Sequence, residues 1–196
     1  MAAALLAGAP PAALTLTLAG REWHFATSTP GERVLAHSVL YKHAREATPA
    51  DRSRLIADLT AWRGSDPTSA QCRRLTADEL RSLTAIGFTL GAHSVTHPLM
   101  THLSRTQQIE EIAASTSHLA RLAGRAVTSF AYPFGAVDDA VREAAREAGV
   151  RCAFTCEPRA LSRRDDMWRL PRVDARTQPL ERFVGMIDSL LAGGAG

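Results

Sequence analysis

At 196 residues, with 45% hydrophobic and 22% charged residues, the chain has the size of one ordinary domain and the composition of a globular protein, which excludes a disordered tail or a membrane protein. Its 23 Lys and Arg against 20 Asp and Glu leave a formal charge of +3. Acids are interleaved with the bases throughout, so the clustered basic stripe of a nucleic-acid binder is absent and no nucleic-acid partner is expected.

Residues 1–9 are apolar but lack a basic start, and Pro10-Pro11 interrupts them too soon for a signal-peptide core or a membrane span. No export signal or transmembrane segment is expected in this stretch. Cys72, Cys152 and Cys156 are odd in number and match no metal-binding spacing, so they are expected as small buried hydrophobes. Leu14 to Leu18 alternates apolar and polar residues, Ala19-Gly20 offers a turn, and Arg21 to Phe25 alternates again, which predicts a β-hairpin. Helices are expected over about 32–46 and 49–62. The second has Thr48 as N-cap, Pro49 at its first position, and Leu55, Leu59 and Trp62 on one face. Residues 64–74, polar and containing Asp66-Pro67, read as a connecting loop.

From Leu75 capped helices alternate with short apolar strands. Thr76-Ala77-Asp78-Glu79 is a capping box whose helix stops at Gly87, and a strand is expected over 88–92. Ser104-Arg105-Thr106-Gln107 is a second capping box, opening a helix that ends at Gly124, with a strand over 127–131 after it. Asp138 caps a helix ending near Gly149; strands are expected over 152–156 and 168–173, and a helix with an apolar face over 180–191. Helices of this length between strands require parallel crossovers, so the fold class is α/β. The expected division is a hairpin and helical region over 1–74 and an α/β region over 75–192.

In parallel α/β sheets ligands bind beyond the carboxyl ends of the strands. Two loops in such positions carry chemistry. His93-Ser94-Val95-Thr96-His97-Pro98 sets two imidazoles four residues apart after a strand, half of a mononuclear site for Zn, Co or Ni. Pro98 disfavours helical geometry at His97, so the pair is expected on a turn; the plainer reading is polar residues closing a strand end. Phe130-Ala131-Tyr132-Pro133-Phe134-Gly135 offers Tyr132, Pro133 and Phe134 as a rigid wall on which a sugar ring could pack, with a packed turn as the plainer reading.

These two motifs, in this order and one βα unit apart, resemble those of the polysaccharide deacetylase family with its NodB-type homology domain. Arg169-Leu170-Pro171-Arg172-Val173 is similar to a late segment of one branch. The resemblance covers about 75–191, with 14–62 similar to an insertion that some members carry. It implies a distorted (β/α) barrel, here incomplete, that removes N-acetyl groups from a polysaccharide or amino sugar. It also implies a divalent metal, Zn with Co or Ni as alternatives, held by one Asp and two His. His93 and His97 take the two His positions. A backbone N–H near the aromatic turn, that of Tyr132, is implied as an oxyanion donor. Tyr132, Pro133, Phe134 and Arg172 are the expected contacts to an N-acetylated glycan.

The sequence departs from the family at three places. No Asp-Asp pair precedes His93, so the third ligand and the base are unassigned, and the N-terminal strands that carry them are expected to be missing from this chain. Asp138-Asp139 and Asp165-Asp166 come too late; the first reads as a helix cap and the second as a solvated loop. The late Leu-x-His motif is absent and Ala131 stands where Arg is common, so the general acid is also unassigned. His102 is a weak candidate for a third ligand, while His24, His37, His43 and His118 read as ordinary surface or partly buried residues. The competing expectation is a non-catalytic carbohydrate-binding or interaction module that kept the aromatic wall. Members of the family often act outside the cytoplasm; the location of this chain is left open.

Overall fold

The structure is a computed structural model that describes residues 5–6, 11–18, 20–64, 74–175 and 179–193. The chain divides into two compact units, Met1–Leu75 and Thr76–Gly196, where length alone predicted one domain. The reason is that the hairpin and its two helices close a core of their own from Leu14, Leu16, Leu40, Leu55 and Leu59.

In the first unit β1 (Ala13–Leu18) pairs antiparallel with β2 (Arg21–Ala26), Leu18 opposite Arg21, so the turn is the two-residue connection expected. Gly20 takes φ +76° there, the left-handed geometry that a tight hairpin needs and glycine supplies without steric cost. Leu14 and Leu16 turn inward while Thr15 and Thr17 face solvent. Helix α1 (Pro30–Glu46) starts two residues before its expected position. Thr29 Oγ1 accepts from the Glu32 N–H while Glu32 Oε2 accepts from the Thr29 N–H, a capping box that sets the start at Pro30. Helix α2 (Pro49–Arg63) is capped by Thr48 and ends at Gly64, as its pattern predicts. Most of the 64–74 loop, including Cys72, lies outside the described residues, as does most of 1–9.

The second unit contains α3 (Ala77–Ala85), α4 (Arg105–Ala123), β3 (Ser129–Ala131), α5 (Asp139–Glu147), β4 (Cys152–Phe154) and α6 (Leu180–Gly193). Strands β3 and β4 are parallel, with Phe130 opposite Ala153. Single parallel bridges extend the ladder on both sides, Ala92 to Phe130 and Phe154 to Leu170. The strands expected over 88–92 and 168–173 therefore shrink to one bridging residue each, and those over 127–131 and 152–156 to three residues. Phe88 stays 58% exposed, so no burial drives the first segment into a longer ladder, and Pro171 has no N–H with which to continue the last. The order Ala92, β3, β4, Leu170, with α4 and α5 in the first two connections and a loop in the third, makes an α/β arc, open rather than closed into a barrel among the described residues. Its core is Ile112 of α4, Val141, Ala144 and Ala145 of α5, and Phe130, Tyr132 and Ala153 of the sheet. All three helices preceding a core segment stop where their glycines predict: Gly87, Gly124 and Gly149 have positive φ.

Candidate active site

The two chemically pointed loops leave the same end of the parallel ladder. The Ala92 N–H donates to Ser129 O (2.9 Å) and the Ala131 N–H to Ala92 O (2.8 Å), so His93 and Tyr132, each the next residue, start side by side.

His93 is exposed, and its Nδ1 lies 2.7 Å from Ala131 O. A carbonyl oxygen only accepts, so Nδ1 carries the proton and the lone pair sits on Nε2, the atom left to meet a ligand. His97 returns on the turn that Pro98 predicts, with ring centroids 4.7 Å from His93 and planes at 78°. The turn is held open against its own backbone preferences. Ser94 (φ +64°) and His97 (φ +55°) are both left-handed, at about 1–3 kcal/mol each for a residue other than glycine. Inside the turn Ser94 Oγ accepts from the His97 N–H at 2.9 Å. From outside, Glu111 of α4 accepts from the N–H groups of Val95 (2.7 Å) and Thr96 (2.9 Å) and from the Thr96 hydroxyl (2.6 Å). The sequence reading did not single out Glu111. In a Glu110-Glu111 doublet on an amphipathic helix it reads as solvated surface, and no local pattern announces a contact that spans fifteen residues.

The aromatic turn follows its plainer reading as a packed turn and departs from the sugar-facing wall. Tyr132 is fully buried; its hydroxyl donates to Trp168 O (2.9 Å) and its N–H to Phe154 O (3.0 Å). The N–H expected to hold an oxyanion is thus spent on the sheet, and the ring expected to face a sugar is core. Burial, reinforced by the charge of Asp166, pushes the phenol well above its usual range. Pro133 is buried too. Phe134 alone of the three stays partly open, in a left-handed conformation (φ +60°), with its ring edge-on to His97. The wall is therefore one ring beside the imidazoles.

Arg172 is exposed, with one guanidinium nitrogen 3.6 Å from Cys156 Sγ. Cys156 in turn abuts Gly135, where a Cβ would stand 2.6 Å from the Cys156 nitrogen. Cys156 is exposed and Cys152 half-buried, so neither is the fully buried thiol expected. Asp138 caps α5 as expected, its Oδ1 accepting from the Val141 N–H. Asp165 is not the solvated residue expected: it accepts two hydrogen bonds from Arg159 (2.7 and 2.9 Å) and one from the Ser162 N–H. Its side chain is 12% exposed. His102 is exposed on the short 3-10 turn Met100–His102. Among the described residues no three His, Cys, Asp or Glu side chains converge as a metal site. Two imidazoles with one oriented Nε2 suit a divalent ion, but the described donor set is short of the three protein ligands a catalytic zinc uses. In the first unit a cleft of ≈ 920 Å³ between β1 and α2, lined by Thr15, Asp51, Arg54, Asp58 and Trp62, brings no imidazole or thiol together.

The polysaccharide deacetylase family model matches residues 59–153, a span containing both loops. Over this span the chain is similar to the polysaccharide deacetylases. YxkH of Bacillus subtilis (strain 168), described as a polysaccharide deacetylase, is 28% identical over 99 residues, which are 50% of this chain and 36% of that protein. A deacetylase of Streptococcus pyogenes solved with acetate shares the fold at TM-score 0.55 and 21% identity, covering 80% of this chain and 64% of its own. A polysaccharide deacetylase from Bacillus cereus superimposes at TM-score 0.52 and 26% identity, covering 58% of this chain and 36% of that one. The chain thus spans less than two thirds of the length of each of these relatives. The NodB-type fold expected from the motifs is the fold of these neighbours, and the open arc is an incomplete version of the expected barrel. The match begins at Leu59, inside α2, earlier than the expected residue 75. Among the described residues no helix is long and apolar enough to cross a membrane.

Proposed function

We propose that this chain carries the histidine half of a divalent-metal-dependent hydrolase that removes N-acetyl groups from a polysaccharide or amino sugar. The observation that carries the reading is the His93–His97 pair, with His93 locked by Ala131 O into the tautomer that offers Nε2. His93 and His97 would hold the ion, zinc by preference with cobalt or nickel as substitutes. A metal in such a site supplies Lewis acidity toward an amide carbonyl and lowers the pKa of water. The residues described do the positioning: Ala131 O orients His93, Phe134 flanks His97, and Arg172 stands exposed for an anionic or acetylated glycan. The third ligand, base and acid are to be sought in sequence beyond the described residues, since this chain spans 36% of YxkH.

The test has two arms. Zinc titration of the chain should show weak binding that His93→Ala and His97→Ala abolish, and acetate release from N-acetylated amino-sugar oligomers should be absent. An extended polypeptide carrying an Asp-Asp segment ahead of these residues should bind zinc more tightly and release acetate. Zinc binding unaffected by both His substitutions would overturn the reading, as would an extended protein inactive on every amino-sugar oligomer.

A further inference from the structure

The loop bearing the two histidines poses a physical problem: two of its residues hold left-handed backbone at Ser94 and His97, yet it must present two rings at a fixed 4.7 Å. A strained turn persists only when its surroundings over-determine it. Glu111 does most of this from outside the loop. One carboxylate takes the N–H groups of Val95 and Thr96 on Oε2 and the Thr96 hydroxyl on Oε1, three charge-assisted contacts on the two residues between Ser94 and His97. One helical turn earlier Gln108, 2% exposed, donates through Nε2 to Met100 O (3.0 Å) and Leu103 O (3.1 Å). The same helix therefore pins the segment on both sides of His97 and Pro98, at positions i and i+3 on one face.

We propose that Glu111 is a positioning residue that sets the spacing of the His93 and His97 imidazoles by clamping the turn between them, with Gln108 anchoring the turn that follows. This rests on the reading above that the two imidazoles are ligands. Glu111 itself touches no reacting atom. It acts through the backbone of Val95 and Thr96, so its loss should disturb the pair while leaving the core of Ile112, Phe130 and Val141 intact.

The test compares the full chain with Glu111→Gln and Glu111→Ala, using Glu147→Gln, which breaks a surface pair with Arg105, as control. Amide hydrogen exchange should quicken at least about tenfold at Val95 and Thr96 in Glu111→Ala and less in Glu111→Gln, whose amide oxygen still accepts. Ala153 and Leu170 amides should keep their protection in both, which excludes general unfolding. Zinc affinity by calorimetry should fall about 10- to 100-fold in Glu111→Ala, the usual effect of removing a group that orients a ligand, and stay level in Glu147→Gln. Unchanged exchange at Val95 and Thr96 overturns the clamp. Quickened exchange with undiminished zinc affinity overturns its role in spacing the pair. If the unaltered chain binds no zinc, the functional reading fails; the clamp then stands or falls on the exchange data and on whether the His93 and His97 ring signals shift in Glu111→Ala.

Discussion

The ring of Phe134 stands edge-on to the imidazole of His97, with centroids 4.6 Å apart and planes at 81°. Phe134 pays for that placement with φ +60°, so the contact and the strain reside in one residue. Edge-to-face pairs contribute about 0.5–1.5 kcal/mol beyond area burial. Phe134→Leu keeps the left-handed strain and loses the ring, so it should lower stability by about 1 kcal/mol in a denaturant titration and move the His97 ring signals in NMR spectra. His97 signals that stay put would show that the ring does not constrain the imidazole.

Gly135 and Gly149 separate two costs that glycine substitutions usually mix. Both have positive φ, but a Cβ at Gly149 meets nothing within 4 Å, whereas one at Gly135 meets the nitrogen, Cβ and Sγ of Cys156 at 2.6–2.8 Å. Gly149→Ala should cost about 1 kcal/mol for conformation alone. Gly135→Ala adds overpacking against backbone and should cost about 2–4 kcal/mol. Equal losses in chemical denaturation would contradict the close approach.

Tyr132 ties stability to alkaline pH. Burial raises its phenol above the usual range, so the folded protein keeps a proton that the unfolded chain releases near its ordinary value of about 10. The contribution is complete below that value and is lost as pH rises through it toward the folded pKa. Melting temperatures should drop between about pH 9 and 11.5, and Tyr132→Phe, less stable by about 1 kcal/mol at neutral pH for its lost hydrogen bond, should drop less steeply. A parallel pH dependence in the two proteins would count against this.

The opposite sign applies to Asp165. Hydrogen bonds from Arg159, then from the Ser162 N–H, hold its carboxyl below the usual range. The order they give to residues 157–166 is in force above the ordinary Asp value of about 4 and fades as pH falls through the lowered one. Limited proteolysis should begin to cut this segment only once the pH is lowered below the ordinary Asp range. In Asp165→Asn, which weakens the bidentate pair with Arg159, the segment should be cut already at neutral pH. Protection of Asp165→Asn at neutral pH would show that the pair does not order the loop.

Local signals are the legible ones. Thr76, Ser104 and Asp138 each announce a helix that forms, because a cap satisfies its donors within three residues. The hairpin turn was legible for the same reason. What depended on distant partners was not. Nothing near Tyr132 says that its N–H goes to Phe154 and its hydroxyl to Trp168, so the sequence leaves a packed turn and a sugar-facing wall both open, and burial decides for the first. Residues 88–92 have the texture of a strand, but pairing is decided by neighbours, and there only Ala92 is joined. The histidine pair was legible as spacing; Glu111, which reaches it across the fold, was not.

The bond from His93 to Ala131 has a consequence for sequence variation. What the imidazole takes from position 131 is a main-chain carbonyl, and all twenty amino acids bring one. The side chain at 131 therefore has no part in fixing the His93 tautomer, and every member of a saturation library at 131 that keeps the fold should present the same ring nitrogen.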